Sequence, residues 1–563
     1  MDVFSEISLI LLVALVISAL MRFLKQPLLI GYILTGFLVG PYFLNFMKST
    51  EVVELFSQLG ITALLFIVGL GLSPKVIKEL GLVSLVTGVG QVLFTSLFGY
   101  ILSLFLGFQP VEALYIAIAL TFSSTIIILK LLSDKGDVNK LYGRISIGFL
   151  LVQDLIATVI LVVISSITTV VPHANLALEL MYIVMKGFVL LLLLFGFANY
   201  LVPYLKSFIG KSQEFLFIAA LAWGIGVASL YHALGLSIEI GALVAGVTLS
   251  VTPFSLEISS RLKPLRDFFI ILFFILLGYQ MTFDNWQALL TPTFLFSIFI
   301  LVGNPLIVVI LMNLLGYTRK TGFHAGLTVA QISEFSLILV TLGKNVGHLS
   351  QDVLSMVTLV GIITISGSTY LILYSEKIFK KIEPLLKMFE FRKIKRQKID
   401  SLVMYDALIF GYRRAGPEFA HAFREMGFKY LVVDFNPATV QLLDSKGIEV
   451  EYGDASDIDF LEDLPLREVK FLVSTIPDYE TNMLLLSVLR QTNETAVVVV
   501  ITDSMEHAAG LYEVGATHVV LSHYIGAHYA ANIIMQNGFD QKKYEELRNQ
   551  QIKYIKNLNE LAI

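Results

Sequence analysis

From Ile7 to about Tyr374 the sequence is a succession of apolar runs separated by short polar turns. Most runs are roughly 18–25 residues, the length that crosses a ~30 Å hydrocarbon core as a helix. The pattern predicts about thirteen spans, near residues 6–23, 28–46, 55–71, 81–106, 111–132, 143–170, 180–205, 214–231, 234–252, 265–283, 292–315, 321–344 and 352–374. After Tyr374 the pattern changes. Lys377, Lys380, Lys381, Lys387, Arg392, Lys393, Lys395, Arg396 and Lys398 make a basic linker, and from about Ser401 the chain reads as a soluble domain. The expected organisation is a membrane domain over 1–376, a linker over 377–400, an α/β Rossmann-like domain over 401–540 and a charged helix over 541–563.

Charge orients the spans. Arg22 and Lys25 follow the first apolar run, whereas Asp2 and Glu6 precede it, so the run reads as a retained span with its N-terminus outside. With that orientation the inner turns hold Lys75, Lys78, Lys130, Lys135, Lys140, Arg144, Lys206, Lys211, Arg261, Lys263, Arg266, Arg319 and Lys320. The outer turns hold little beyond Lys48, Lys186 and Lys344. An odd span count places the soluble domain in the cytosol. Composition agrees with a membrane chain, since 15% of residues are charged against about 25% in soluble proteins. The net charge of −4 gives no footprint for nucleic acid, and the absence of cysteine excludes disulfides, iron–sulfur clusters and thiolate zinc sites.

Within the spans, acidic residues cluster at helix ends, with two exceptions. Asp154 lies about ten residues into the sixth span, roughly 15 Å deep, and Glu334 lies at similar depth in the twelfth. Glu239 is intermediate. A carboxylate at mid-depth is costly unless a cation or a proton joins it, and the two compete for the same oxygens. That competition is the minimum chemistry of exchange; the alternative is a structural hydrogen bond from a protonated acid. Gln153 stands beside Asp154. The fifth span carries Thr121-Phe122-Ser123-Ser124-Thr125, and the twelfth Gln331-Ile332-Ser333-Glu334-Phe335. Such hydroxyls either serve backbone groups freed where a helix unwinds, coordinate a cation, or bond back to the preceding turn. The two spans run in opposite directions seven spans apart, as inverted repeats would place them.

These stretches resemble the monovalent cation:proton antiporter-2 family, the Kef-type potassium/proton antiporters in particular. The resemblance rests on Gly31-Tyr32-Ile33-Leu34-Thr35-Gly36 with Gly40-Pro41, Leu65-Phe66-Ile67-Val68-Gly69-Leu70, the Thr121–Thr125 stretch, Gln153-Asp154, Gly241-Ala242-Leu243-Val244-Ala245-Gly246, and Phe273-Phe274 with Gly278. It implies a homodimer in a bacterial-type inner membrane, with a scaffold and a moving core in each protomer. It implies interrupted helices crossing near Asp154, and a cation (potassium or sodium) and protons as substrates on Asp154, Gln153, Thr121, Ser123, Ser124 and Glu334. Electrogenic relatives place a lysine in the eleventh span, where this chain has Asn304 in Gly303-Asn304-Pro305. With Gln153 also neutral, one-for-one electroneutral exchange is expected. Ile332 and Ser333 replace two glycines of the family's twelfth-span pattern.

In the soluble region a short apolar strand over 406–410 runs into Gly411-Tyr412-Arg413-Arg414-Ala415-Gly416, then a helix, then a strand closing on Asp434. This is the strand–turn–helix–strand setting of a dinucleotide fingerprint, with Asp434 about 20 residues on to meet ribose hydroxyls. Arg413 replaces the middle glycine, so it either blocks a pyrophosphate or pairs with a phosphate. Gly453-Asp454-Ala455, Thr475-Ile476-Pro477-Asp478 and Gly515-Ala516-Thr517-His518-Val519 resemble the RCK (regulator of potassium conductance) domain. The resemblance implies that Asp454 and Ala455 lie near an adenine, with Gly411, Arg413, Gly416 and Asp434 completing the site. The expected regulator is an adenine nucleotide (AMP, ATP or NAD(H)). A cation channel gated by the same domain is the second reading, and it lacks a filter-like run. A membrane-anchored nicotinamide oxidoreductase lacks a second catalytic domain. The expectation is a transporter, not an enzyme.

Overall fold

The structure, a computed structural model, describes residues 3–562 except 46–47, 49, 72–80, 139, 168–188, 191–192, 195, 197–212, 251, 253, 283–285, 387–403, 414, 454, 456–457 and 463. It divides into two units, Met1–Phe391 and Arg392–Ile563.

The first unit is helical. Helices α1 (Val3–Phe23), α2 (Leu28–Val39), α3 (Thr50–Gly71) and α4 (Leu82–Phe105) match the first four expected spans. The fifth span is two half-helices, α5 (Pro110–Ala119) and α6 (Thr125–Asp134). Then come α7 (Leu141–Ile167), α8 (Gln213–Ala233), α9 (Ile238–Ser250) and α10 (Ser255–Tyr279). The expected seventh span lies almost wholly outside the described residues. The eleventh span is α11 (Trp286–Ile298), a π turn over Phe299–Gly303, and α12 (Asn304–Leu314). The twelfth is again two halves, α13 (Arg319–Leu327) and α14 (Glu334–Asn345). Helix α15 (Gln351–Leu373) is the last span, and α16 (Ser375–Leu386) follows it. Among the described residues seven helices are long and apolar enough to cross a membrane, and α2, α5 and α9 are shorter apolar helices.

Close helix contact replaces the hydrophobic drive that lipid removes. A Cβ on Gly36 would lie 1.8 Å from the Ile275 carbonyl, and one on Gly278 would lie 1.9 Å from the Ile33 carbonyl. The glycines of α2 and α10 therefore let two backbones touch. The π turn before Asn304 has a local cause. Pro305 brings no N–H to the ladder, and the extra residue per turn is absorbed just ahead of it.

The second unit is a six-stranded parallel sheet in the order β3-β2-β1-β4-β5-β6. Its strands are β1 (Ala407–Phe410), β2 (Tyr430–Asp434), β3 (Val450–Tyr452), β4 (Phe471–Ser474), β5 (Val497–Thr502) and β6 (His518–Leu521). Helices α17 (Gly416–Glu425), α18 (Pro437–Ser445), α19 (Ile458–Glu462), α20 (Tyr479–Thr492) and α21 (Met505–Glu513) alternate with them, and α22 (Ser522–Asn537) and α23 (Gln541–Ala562) follow. The near-continuous Val, Ile and Leu runs of β1, β2, β4 and β5 suit strands buried on both faces. Leu408 and Phe410 face one apolar cluster, and Ala407 and Ile409 face the other. The strand order reverses between β1 and β4, which opens a crevice at their carboxyl ends.

Candidate functional site

Both interrupted spans break at mid-depth, and side chains satisfy the backbone groups that the breaks release. In the fifth span residues 120–124 are non-helical. The Leu120 carbonyl accepts from Asn304 Nδ2 at 3.1 Å, and the Thr121 carbonyl accepts from Gln91 Nε2 at 3.1 Å. Ser123 N–H donates to Gln153 Oε1 at 3.3 Å, and Ser124 Oγ caps α6 by accepting from Ile127 N–H. In the twelfth span residues 328–333 are non-helical. Asn304 Nδ2 also approaches the Val329 carbonyl at 3.5 Å. Ile332 N–H donates to Thr364 Oγ1, and Ser333 forms a reciprocal cap with Ser336 at the start of α14. The span thus unwinds without the two glycines, because Thr364, Ser336 and Asn304 take the freed groups.

One amide, Asn304, therefore joins the inner ends of α5 and α13. It belongs to a chain of bonds among side chains that are all fully buried. Thr95 Oγ1 donates to Asn304 Oδ1 at 3.0 Å, Gln91 Nε2 donates to Thr95 Oγ1 at 3.1 Å, and Gln153 Nε2 donates to Gln91 Oε1 at 2.7 Å. Every member is neutral. Low surrounding polarity strengthens such a chain and makes any unpaired member costly.

Asp154 sits on α7 beside this chain. Its Oδ2 accepts from Thr125 Oγ1 at 2.8 Å, and its main-chain carbonyl accepts from Thr158 Oγ1 at 2.7 Å. Thr125 is the first residue of α6, so the carboxylate faces the positive end of a half-helix. Ser123, Ser124 and Gln153 are buried, whereas Asp154 keeps partial exposure. Ser123 Oγ is buried without a hydrogen-bond partner. Thr121 Oγ1 is spent on the Ile118 carbonyl, and both ends of the Gln153 amide are engaged in the buried chain. Glu334 is the first residue of α14 and is buried, with its Oε2 at 3.5 Å from the donating Ser333 Oγ.

In the soluble unit the crevice is built on Gly411, whose φ is +82°. A Cβ there would meet Thr475 Oγ1 at 2.6 Å, and one on Gly416 would meet the Gly411 carbonyl at 2.7 Å. Both glycines are needed for the turn to close onto α17. Asp434, at the end of β2, is buried, and its carboxylate accepts from Tyr412 N–H at 2.9 Å and Asn436 N–H at 2.8 Å. Burial pushes its carboxyl above the ordinary aspartate value, while the two N–H groups and the Arg413 charge act in the opposite direction. Arg413 is exposed. Ala455 is buried, and Asp454 lies outside the described residues. Among the described residues no group of His, Asp and Glu is arranged to hold a metal ion.

Residues 9–373 match the family described as sodium/hydrogen exchanger, transmembrane. The chain belongs to that family. Residues 407–522 of this exchanger match the TrkA-N domain, so the Kef-type arrangement with a C-terminal RCK-like domain is borne out. The exchanger is 27% identical over 525 residues to a putative cation/proton antiporter, YbaL, of Escherichia coli (strain K12), covering 91% of this chain and 93% of that one. It is 26% identical to a putative K(+) efflux antiporter, KefB, of Alkalimonas amylolytica, over 91% of this chain and 78% of that one. A plant relative, K(+) efflux antiporter 6 of Arabidopsis thaliana, is 28% identical over 64% of this chain and 60% of that one. Among solved structures, the TrkA-N domain of inner membrane protein ybaL from Escherichia coli covers 23% of this chain and 98% of that chain, at 20% identity and a TM-score of 0.23. The sodium proton antiporter MjNhaP1 from Methanocaldococcus jannaschii covers 69% of this exchanger and 99% of that chain, at 16% identity and a TM-score of 0.47. The curated relatives are transporters rather than enzymes by name.

Sequence reasoning named the hydroxyl run but did not single out Thr125, the residue that touches Asp154. It also missed Gln91 and Thr95. Their signal was present, since Thr87, Gln91 and Thr95 recur every fourth residue in an otherwise apolar run and all three are buried.

Proposed function

We propose that this exchanger carries one monovalent cation against one proton, potassium in preference to sodium, with both bound alternately on Asp154. The carrying observation is the Asp154 carboxylate, partly exposed and held by Thr125 at the tip of a half-helix whose preceding break carries an unpartnered buried hydroxyl, Ser123 Oγ. Asp154, Thr125 and Ser123 supply the oxygens for a dehydrated cation. Gln153, Thr121 and Ser124 shape the break, and Glu334 raises the local negative potential. Neutral Asn304 and Gln153 leave no fixed cation beside Asp154, which supports electroneutral exchange. Potassium is supported by the relatives named as K(+) efflux antiporters. The halves α5, α6, α13 and α14 with α7 form the element that moves, elevator-like, in each protomer of a homodimer. The membrane is a bacterial-type inner membrane, with the N-terminus outside and the soluble unit cytosolic. An adenine nucleotide (AMP, ATP or NAD(H)) in the β1–β4 crevice regulates exchange. Gly411 and Gly416 admit it, Asp434 meets its ribose, and Asp454 and Ala455 lie toward the adenine.

The test is proton movement driven by a potassium or sodium gradient in proteoliposomes. The wild type is expected to exchange at a rate insensitive to imposed voltage, and Asp154→Asn to abolish exchange. Unchanged exchange in the variant would falsify the mechanism, and cation flux without proton movement would favour a gated channel. For the soluble unit, calorimetric titration with AMP, ATP and NADH is expected to give saturable binding of one of them. Arg413→Gly should tighten a dinucleotide if Arg413 obstructs it. Heat with none of the three sinks nucleotide regulation.

A further inference from the structure

Helix α16 has two faces of opposite character. Ser375, Phe379 and Leu386 are buried and Ile382 is half-buried, a stripe with spacings of four, three and four. Lys377, Lys380 and Lys381 are exposed on the other side, with Leu385 exposed one turn further on. The buried stripe grips α13. The Phe379 ring lies 5.6 Å from Phe323 and 5.9 Å from His324, and the Glu376 carboxylate reaches His324 Nε2 at 3.2 Å and Lys320 Nζ at 3.9 Å. Lys135 ties the junction by donating to the Ile372 carbonyl and to Ser375 Oγ.

A second element borders this face. Tyr370 Oη donates to the Leu24 carbonyl at 3.1 Å, which sets the turn between α1 and α2 against the end of α15. That turn exposes Arg22 and Lys25. Among the described residues none of these five cations has a carboxylate within 4 Å, although Glu376 nearby is paired and Glu383 is half-buried. Tyr370 and Tyr374 are also exposed, and Lys377 Nζ lies 5.9 Å over the Tyr374 ring. Unpaired cations, exposed aromatic rings and an exposed leucine at the end of a membrane span form a surface for a charged interface rather than for water alone.

We infer that Arg22, Lys25, Lys377, Lys380 and Lys381 form a binding surface for acidic phospholipid headgroups, and that its occupancy acts on exchange through α16 and α13. The path is short. Helix α13, gripped by α16, ends at Leu327 and runs directly into the break over 328–333 beside the ion site. A headgroup that holds α16 in the interface therefore restrains the inner half of the twelfth span. The lipid surface stands on its own; the coupling rests on the exchange reading above.

The test uses the full chain in neutral detergent. Its thermal unfolding midpoint is followed while short-chain phosphatidylglycerol, short-chain phosphatidylcholine or inorganic phosphate is added. Phosphatidylglycerol should raise the midpoint saturably, phosphatidylcholine and phosphate should not, and high salt should weaken the effect. Lys377→Gln with Lys380→Gln and Lys381→Gln should shift the half-saturation concentration roughly a hundredfold, from about fivefold per cation. Arg22→Gln with Lys25→Gln is the second variant, on a different element. An unshifted half-saturation in both variants, or an equal response to phosphatidylcholine or phosphate, overturns the lipid site. In proteoliposomes, wild-type exchange should change severalfold with the phosphatidylglycerol fraction and exchange by the triple variant should not. Wild-type exchange that ignores lipid charge overturns the coupling. No exchange in any lipid counts against the transport reading, and the titration then decides the lipid site alone.

Discussion

Replacing Gln91 by leucine removes a side chain that is bonded to Thr95, Thr121 and Gln153 rather than to Asp154, and should still damage exchange. Gln91 is fully buried, and leucine preserves most of its volume, so packing changes little. The substitution strands two groups. Gln153 Nε2 loses its acceptor at 2.7 Å, and the Thr121 carbonyl loses its donor at 3.1 Å. Thr95 keeps its bond to Asn304. Counting the bond to Thr95, three bonds are lost; membrane-protein cycles average about 0.6 kcal/mol per such bond, which sets a floor of about 2 kcal/mol. Two buried polar groups left unpaired at about 1–3 kcal/mol each set a ceiling of about 6 kcal/mol. We expect about 2–4 kcal/mol, spent at the break beside Asp154. The assay is thermal unfolding of the purified protein together with proteoliposome exchange, in a cycle with Gln153→Leu. Removing both partners deletes the stranded amide, so the double variant should be less damaged than the sum by about 1 kcal/mol or more. Additive losses, or a Gln91→Leu protein with full exchange and less than about 0.5 kcal/mol of destabilisation, would refute the argument that this chain holds the break in place.

Gly278→Ala places a Cβ against the Ile33 carbonyl, a backbone atom that cannot swing aside, and should cost about 3 kcal/mol or more, read as a lower unfolding midpoint. The His324 ring nitrogen, 3.2 Å away, holds the Glu376 carboxyl down at about 2, against a burial effect in the other direction. Its folded value is thus below its unfolded one, so its contribution to anchoring α16 is full above about pH 4.5 and is lost as pH falls toward 2. Hydrogen exchange of α16 amides should rise across that window in the wild type and not in Glu376→Gln. Equal profiles would sink this account.

Much of the architecture was written in one-dimensional patterns. Apolar runs long enough to span lipid, basic residues gathered in alternate turns, and valine-rich strands alternating with helices each follow from local composition, because the solvents that select them are uniform over a whole segment. Asp154 and Glu334 stood out for the same reason, as charges where lipid tolerates few. The roles of the polar residues were decided only in three dimensions. Gln153 reads as a natural ligand beside Asp154, yet its amide is spent between Gln91 and Ser123. Thr125, one of several hydroxyls in a row, alone reaches the carboxylate. Asn304 lies on a span far in sequence from the one that carries Gln91 and Thr95, and no local pattern states that one amide will serve the carbonyls of two separate breaks. The span pattern and the polar runs pointed to the region around Asp154 as the proposed ion site. Which hydroxyl reaches the Asp154 carboxylate and which amide holds the helix open depended on long-range hydrogen bonds, whose partners exist only once the helices have packed.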